Sequence, residues 1–404
     1  MIGNTRITQA MKNKMAELEN PFYLYDQETI LGQVRRLHRD FPDFEFLYSI
    51  KTNPFLPVVK TILGEGLGLD AASLREVEIG VEYGLPKEKI LYSAPGKTER
   101  DLRGAMDHAI LIADSLHELE MIRRIAAEKG ETPAIGVRIN PDFTFAADEG
   151  VAGKFGIDEA ALWSADLSGL DIVGIHVHAK SQELSADVLA HYYENMFALI
   201  ERVQQHLGVT LHFANFGSGL GIPFAPGEEP LDVVGLGKRF QEMRRVCAEK
   251  WPQLKILIES GRYIVGKSGT YVTRVLDKKV SHGKTFVLLY GTLNGFARPA
   301  VGEMVRSLSD HPYPYEPIFT HVQASALLPL TDHTETETVT LAGNLCTSAD
   351  IIARDVTLPR MDIGDGLALD NAGCYAAVMT PMQFAFLTPP AQLFLTADGR
   401  VMEA

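Results

Sequence analysis

Cysteine is scarce, tryptophan scarcer, and cations are outnumbered. The 404 residues include three cysteines and two tryptophans, with 38 Lys and Arg against 52 Asp and Glu, for a formal net charge of −14. Cys247, Cys346 and Cys374 stand at no metal-ligand spacing and make no obvious disulfide framework. That points to a reducing cytoplasm. The acidic balance argues against nucleic acid or an anionic membrane as partner, since both call for basic patches. No apolar run reaches membrane-spanning length, so no spanning helix is expected. The opening segment, MIGNTRITQAMKNKMAELENP, is polar and helix-like and holds no apolar signal core. No internal repeat or low-complexity linker divides the chain. The chain as a whole is 46% hydrophobic and 22% charged, ordinary for a globular protein.

Short apolar runs recur, each ending at a polar or glycine-rich turn. Eight of them are FEFLYSIK (44–51), GLGLDAAS (66–73), KILYSAP (89–95), HAILIADS (108–115), PAIGVRIN (133–140), LDIVGIHVHAK (170–180), LHFANFGSG (211–219) and LKILIESGR (254–262). Their nearly continuous apolar character is that of strands buried on both faces. Helical patterns lie between most of them. Eight such strands alternating with helices predict an α/β fold, a (β/α)8 TIM-type barrel. DFTFAADEGVAGKFGI, between the fifth and sixth runs, reads as a loop over the barrel mouth. Beyond Gly261 the pattern changes to strands and turns: GTYVTRVLDKKV, KTFVLLYG, PIFTHVQAS, ETVTLAGNL, GDGLALDNAG and AQLFLTA. The expected organisation is a barrel over 27–260 and a C-terminal all-β domain over 261–404, joined by the N-terminal segment 1–26.

In such a barrel, chemistry belongs at the C-terminal ends of the strands. Lys51, Asp70, Arg138, His178, Ser181, Glu259 and Arg262 collect there. Strand ends also attract polar residues for solvation alone, so the set matters more than any member. Lys51 ends the first run; partly desolvated, it would release its proton more easily and could form a Schiff base. NFGSGLG places Gly217, Ser218, Gly219 and Gly221 in one turn, which is either a plain flexible turn or a cradle of N–H groups for an anion. Glu259 and Arg262 close the eighth run, as a rim ion pair or as part of a site. A lysine, an anion cradle and a carboxylate are the three things that pyridoxal phosphate needs. His176 and His178 alternate on one strand face and could instead be a metal pair.

At this point the residues match a known family. YSIKTNP, LDAAS, HVHAKSQ, NFGSGLGI, ESGR, GNLCTSAD and GCY occur in family order over roughly residues 22–395. The chain resembles the fold-type III pyridoxal 5'-phosphate-dependent decarboxylases, which include diaminopimelate and ornithine decarboxylases. The resemblance implies that Lys51 is the covalent anchor and that His178 stacks on the pyridine ring. It implies cofactor contacts from Asp70, Ser181, Gly217, Ser218, Gly219, Gly261, Arg262 and Tyr375, with Glu259 pairing with the pyridine nitrogen. Cys346 would cross a dimer interface to return a proton in the other subunit's site, making the protein a homodimer with shared active sites. No metal is then required. Related alanine racemases carry arginine where Glu259 stands, which favours decarboxylation.

Departures from the pattern bear on substrate. The diaminopimelate and ornithine enzymes carry an acid after the cysteine, where this chain has Thr347. Ala300, Val301 and Gly302 follow Arg298–Pro299, where the diaminopimelate enzymes carry a tyrosine. Glu303 could supply an acid from a shifted position. Lys180 and Ser218 replace usual glycines. ESGRYIVGKSGTYVTRVLD, LAGNLCTSADIIARDV and FAFLTPPAQLFL look most like decarboxylases of carboxylate-siderophore assembly, such as those for staphyloferrin B and vibrioferrin. That likeness implies a citrate-conjugated substrate, citryl-serine or citryl-diaminopropionate, with Arg298, Arg262 and Tyr375 as candidate contacts and Arg298 on a carboxylate. The alternatives are a free diamino acid (meso-diaminopimelate, ornithine or lysine), a metal-dependent barrel enzyme, and a non-enzymatic protein that binds the cofactor.

Overall fold

A computed structural model of the chain describes residues 4–145, 147–217, 219–224, 227–308 and 326–403. The first strand, β1 (Phe22–Asp26), belongs to the second sheet. There follow β2 (Glu45–Ser49), β3 (Gly68–Ala71), β4 (Ile90–Tyr92), β5 (Ile110–Ala113) and β6 (Ala134–Asn140). A two-residue strand, β7 (Ile157–Asp158), pairs with β6. Then come β8 (Asp171–His176), β9 (Phe213–Asn215) and β10 (Lys255–Ser260). The order β2-β3-β4-β5-β6-β8-β9-β10 closes back on β2, every pair parallel. The eight apolar runs are the eight barrel strands.

Serines terminate strands and start helices. Ser73, Ser115 and Ser185 accept N–H groups in the first turns of the helices Leu74–Glu82, Leu116–Lys129 and Ala186–Leu207. Inside the barrel, Leu47, Leu91, Ile112, Phe213 and Leu257 form one buried cluster. Phe213 fills the bottom because Gly174 faces it: a Cβ there would lie 2.1 Å from the ring. The interior is thus packed, and only the C-terminal ends of the strands are open to chemistry.

The second sheet contains β1, β11 (Gly269–Ser281), β12 (Lys284–Leu289), β13 (Leu327–Leu330), β14 (Thr336–Gly343), β15 (Ile351–Pro359), β16 (Gly366–Leu369), β17 (Ala391–Leu395) and β18 (Val401–Glu403). It is mostly antiparallel; β1–β17 and β12–β14 are the parallel pairs. The helix Thr5–Glu17 packs Ile7, Ala10 and Met11 on Phe22, Leu24, Val272 and Leu393. Burying each large side chain there contributes about 1.5–3 kcal/mol. One helix that the apolar pattern did not announce, Ala297–Leu308, follows β12. The expected strand PIFTHVQAS lies outside the described residues. Two hydrogen bonds tie the second domain to the mouth: Asn53 Nδ2 donates to Gly373 O at 3.0 Å, and Tyr375 N to Thr52 O at 3.0 Å.

Candidate active site

Lys51 sits just past β2, in the single turn Ile50–Thr52. The Tyr48 hydroxyl donates to Asn53 O at 2.8 Å, and Asn53 Oδ1 accepts the Phe55 N–H. This turn directs the lysine out of the wall. Its Nζ lies 2.7 Å from Oδ2 of Asp70, which ends β3 and is wholly buried. The other oxygen of Asp70 accepts the Ser93 hydroxyl at 2.6 Å. Burial alone would push the Lys51 ammonium down. The carboxylates of Asp70 and Glu259 outweigh it and hold the group well above its ordinary value. The easily deprotonated lysine expected from a desolvated strand end is therefore corrected: among these side chains Lys51 is a cation.

Glu259, at the end of β10, is the second anchor. Its Oε1 accepts Asn215 Nδ2 at 2.8 Å and lies 3.0 Å from His176 Nε2; its Oε2 lies 3.6 Å from His178 Nδ1. Burial favours the neutral acid, but His176, His178 and Lys51 overcome it and keep the carboxyl well below its usual range. Both histidines thus turn to one carboxylate. Among the described residues no set of three or more His, Cys, Asp and Glu is arranged to hold a metal ion.

Between these anchors lies an anion cradle. Gly217 has φ +66°, and a Cβ there would stand 2.5 Å from Val177 O; only glycine fits. Gly261 packs so closely on Thr52 that a Cβ would meet its hydroxyl at 2.0 Å. Gly219 follows with φ +91°. Arg262 begins the turn after Gly261, its guanidinium 5.1 Å from the Tyr375 ring and 5.8 Å from the Phe224 ring. Tyr375 itself holds φ +48°, a strained conformation of the sort that collects at ligand sites. The buried hydroxyls of Thr52 and Ser260 have no hydrogen-bond partner among the described residues. Ser181 is half-buried on the loop after β8, and Ser218 lies outside the described residues. Glycines that leave no room for side chains, orphaned hydroxyls and a buried arginine fit a phosphate. A lysine and a carboxylate at the ends of neighbouring strands fit the reactive carbon and ring nitrogen of pyridoxal phosphate.

Arg298, first turn of Ala297–Leu308, joins this wall. Its guanidinium is 5.1 Å from the Phe224 ring, which it shares with Arg262, and 5.0 Å from Phe296. Nη2 donates to the carbonyls of Asp370 and Asn371 at 3.3 Å each, and Nε has no partner among the described residues. Burial and the neighbouring Arg262 push this guanidinium down to about 10. Glu303 is not a free acid: Arg354 Nε lies 3.1 Å from its Oε1, and Arg306 3.7 Å from its Oε2. Its charge is thus matched within the chain by Arg354 and Arg306.

Cys346 and Thr347 lie on the loop between β14 and β15. Cys346 is exposed there, and among the described residues no hydrogen bond or ion pair joins this loop to Lys51, Asp70 or Glu259. Buried Asp350 shapes that loop: it accepts the N–H of Leu345 and of Leu293, both at 3.0 Å, and the Thr292 hydroxyl. Asn215, Ser93, Phe224 and Asp350 escaped the sequence reading. For Asn215 a signal existed, a polar residue between aromatic ones just ahead of the glycine turn. The other three are ordinary until folded.

Comparison with known proteins agrees with this geometry. The family described as "Pyridoxal-dependent decarboxylase, pyridoxal binding domain" matches residues 27–266. The L-glutamyl-[BtrI acyl-carrier protein] decarboxylase of Niallia circulans is 31% identical over 93% of this chain and 88% of its own length. Diaminopimelate decarboxylase of Methanothermobacter thermautotrophicus is 32% identical over 95% and 88%. In architecture, the diaminopimelate decarboxylase of M. jannaschii in complex with L-lysine superposes with TM-score 0.83 at 23% identity, covering 97% of this chain and 90% of that one. An anion cradle beside a lysine and a buried carboxylate, on a barrel matched across its whole length, leads to one conclusion: the chain belongs to the pyridoxal-dependent decarboxylase family and is a pyridoxal-phosphate-dependent amino-acid decarboxylase.

Proposed function

We propose that this decarboxylase removes the α-carboxylate of an amino acid whose far end carries carboxylates, of the citryl-serine or citryl-diaminopropionate type, in siderophore assembly. Arg298 carries the reading. It is a buried guanidinium beside Arg262, held by two long carbonyl contacts, and the nearby acid Glu303 is taken up by Arg354. A substrate carboxylate would supply the missing partner. Thr347 cannot neutralise a distal ammonium. The relative named for an L-glutamyl group on an acyl-carrier protein supports a pocket that admits an amino acid joined to something larger. The relatives named diaminopimelate decarboxylase favour the second reading, a free diamino acid.

In this proposal Lys51 is the covalent anchor, His178 covers one ring face, and Glu259 pairs with the ring nitrogen. Gly217, Ser218, Gly219, Gly261, Arg262 and Tyr375 hold the phosphate. When bound, the cofactor supplies an electron sink for the carbanion left as carbon dioxide departs. Cys346 of a second copy reaches the mouth and gives a proton to that carbon, so the working unit is a homodimer. Its exposure supports that assignment.

Carbon dioxide release is measured from citryl-serine, citryl-diaminopropionate, meso-diaminopimelate, ornithine and lysine. Turnover of a citryl substrate at least about tenfold above the free diamino acids is expected; the reverse order refutes the substrate proposal. Thr347→Glu is expected to shift preference toward the cationic substrates. Borohydride reduction and peptide mapping test the anchor, and a label on any residue but Lys51 removes it.

A further inference from the structure

The two oxygens of Glu259 are not equivalent. Oε1 is closed in, with Asn215 Nδ2 at 2.8 Å and His176 Nε2 at 3.0 Å. His176 is 1% exposed, Asn215 0% and Glu259 2%. Oε2 faces the half-buried His178 at 3.6 Å, on the more open side. Register explains the convergence: His176 is paired with Asn215 across β8–β9, and β9 with β10, which carries Glu259.

We propose that His176, together with Asn215, is a positioning residue for Glu259: it holds its Nε2 against Oε1, 3.0 Å away, turns Oε2 to the mouth and keeps the carboxylate charged, so that the pyridine nitrogen of bound cofactor stays protonated. A packing role does not account for it. Burying an imidazole where an aliphatic side chain would fit costs desolvation at both nitrogens; Nδ1 has no partner among the described residues, and Nε2 has the 3.0 Å approach to Glu259 Oε1, off the line of a straight hydrogen bond. The contact to Glu259 is what offsets that cost. A neutral ring suffices, since burial holds the His176 imidazole below its ordinary value. A buried carboxylate deprived of a donor would take up a proton more readily. The charged and titratable groups around the pair are Lys51, His178 and Tyr192 facing Glu259, and Arg138 and Asp70 facing His176. None of them reaches Oε1 in place of His176 by any hydrogen bond or ion pair given above.

The inference rests on reading Glu259 as the partner of the ring nitrogen, and the test separates the two. Holoenzyme is reconstituted with pyridine-15N-labelled pyridoxal phosphate, and the 15N shift is recorded beside the pH profile of kcat/KM. His176→Leu is expected to move the 15N signal toward the unprotonated position at neutral pH. Its acid limb should rise by about 1–2 pH units, the worth of one hydrogen bond to a charged group. His176→Gln, which keeps an N–H donor, is expected to restore most of both. Asn215→Asp, which sets a second carboxylate against Oε1, should move both in the same sense as His176→Leu. If His176→Leu does not accumulate, His176→Phe keeps ring volume without a donor and reads the same way. An unmoved 15N signal and acid limb in His176→Leu or His176→Phe, with Glu259→Gln moving the signal, overturns the role of His176 alone. An unmoved signal in Glu259→Gln overturns the assignment of Glu259 and this inference with it.

Discussion

Arg298→Met should separate activity from stability. In the folded chain the guanidinium is 8% exposed and held by two 3.3 Å carbonyl contacts. Burial and Arg262 depress it from its ordinary value to about 10. For a base, a lowered folded value means that its charge disfavours folding. The cost is present at neutral pH and is relieved only as pH rises from about 10 toward the ordinary arginine range. It amounts to about 3 kcal/mol. Methionine removes that cost and forfeits ring contacts with Phe224 and Phe296, worth roughly 0.5–2 kcal/mol each. The net change in stability is then small, between about 1 kcal/mol lost and 2 kcal/mol gained. A substrate carboxylate, by contrast, loses a buried charged partner, at about 2–5 kcal/mol, or roughly 30-fold to several thousand-fold in kcat/KM. The assay is carbon dioxide release from the citryl substrate beside denaturant unfolding of the same variant. A variant that loses more than about 3 kcal/mol of stability while its kcat/KM stays within about twofold would falsify the assignment, because Arg298 would then be a structural residue.

Two further outcomes follow from other parts of the molecule. Lys51→Ala and Cys346→Ala should each be nearly inactive, yet co-expressed they should recover roughly a quarter of the parent activity, because half of randomly paired dimers regain one intact site; no recovery means that sites are not shared. Glu76, whose carboxylate accepts the Ala72 N–H at 2.6 Å, is raised to about 7 by burial, with Asp70 adding to it. A raised acid contributes stability at low pH that is lost as pH climbs from about 4.5 to 7. Glu76→Gln should flatten that part of the stability profile, checked by urea midpoints at either end of the window, and an unchanged slope would show that Glu76 is not its source.

The barrel was legible because each of its strands is buried on both faces, so FEFLYSIK or LKILIESGR announces itself without its neighbours. Three features were not. β1 is an apolar run like the others, but its partner in the second sheet is β17, some 370 residues away, and nothing local says which sheet it joins. β15 escaped because its pairing with β14 shifts register twice, which destroys a period-two pattern. Ala297–Leu308 carries two glycine or proline positions in a region of strands and turns, and it forms because Ala300, Gly302 and Glu303 are buried on one side. At the site, Ser73, two residues past β3, is spent as a helix cap.

From the residues alone came the barrel, the end of it where chemistry lies, and a lysine, a glycine turn and a carboxylate at that end. These follow from local rules: apolar continuity, turn residues, and the placement of polar groups at strand ends. Only the folded chain decided their electrostatics. Whether Lys51 is neutral or charged depends on Asp70 and Glu259, which arrive on different strands, 19 residues and some two hundred residues along the chain. Whether Glu303 is a free acid depends on Arg354, from another element. Charge states are set by distance and burial, both of which exist only once the strands have closed.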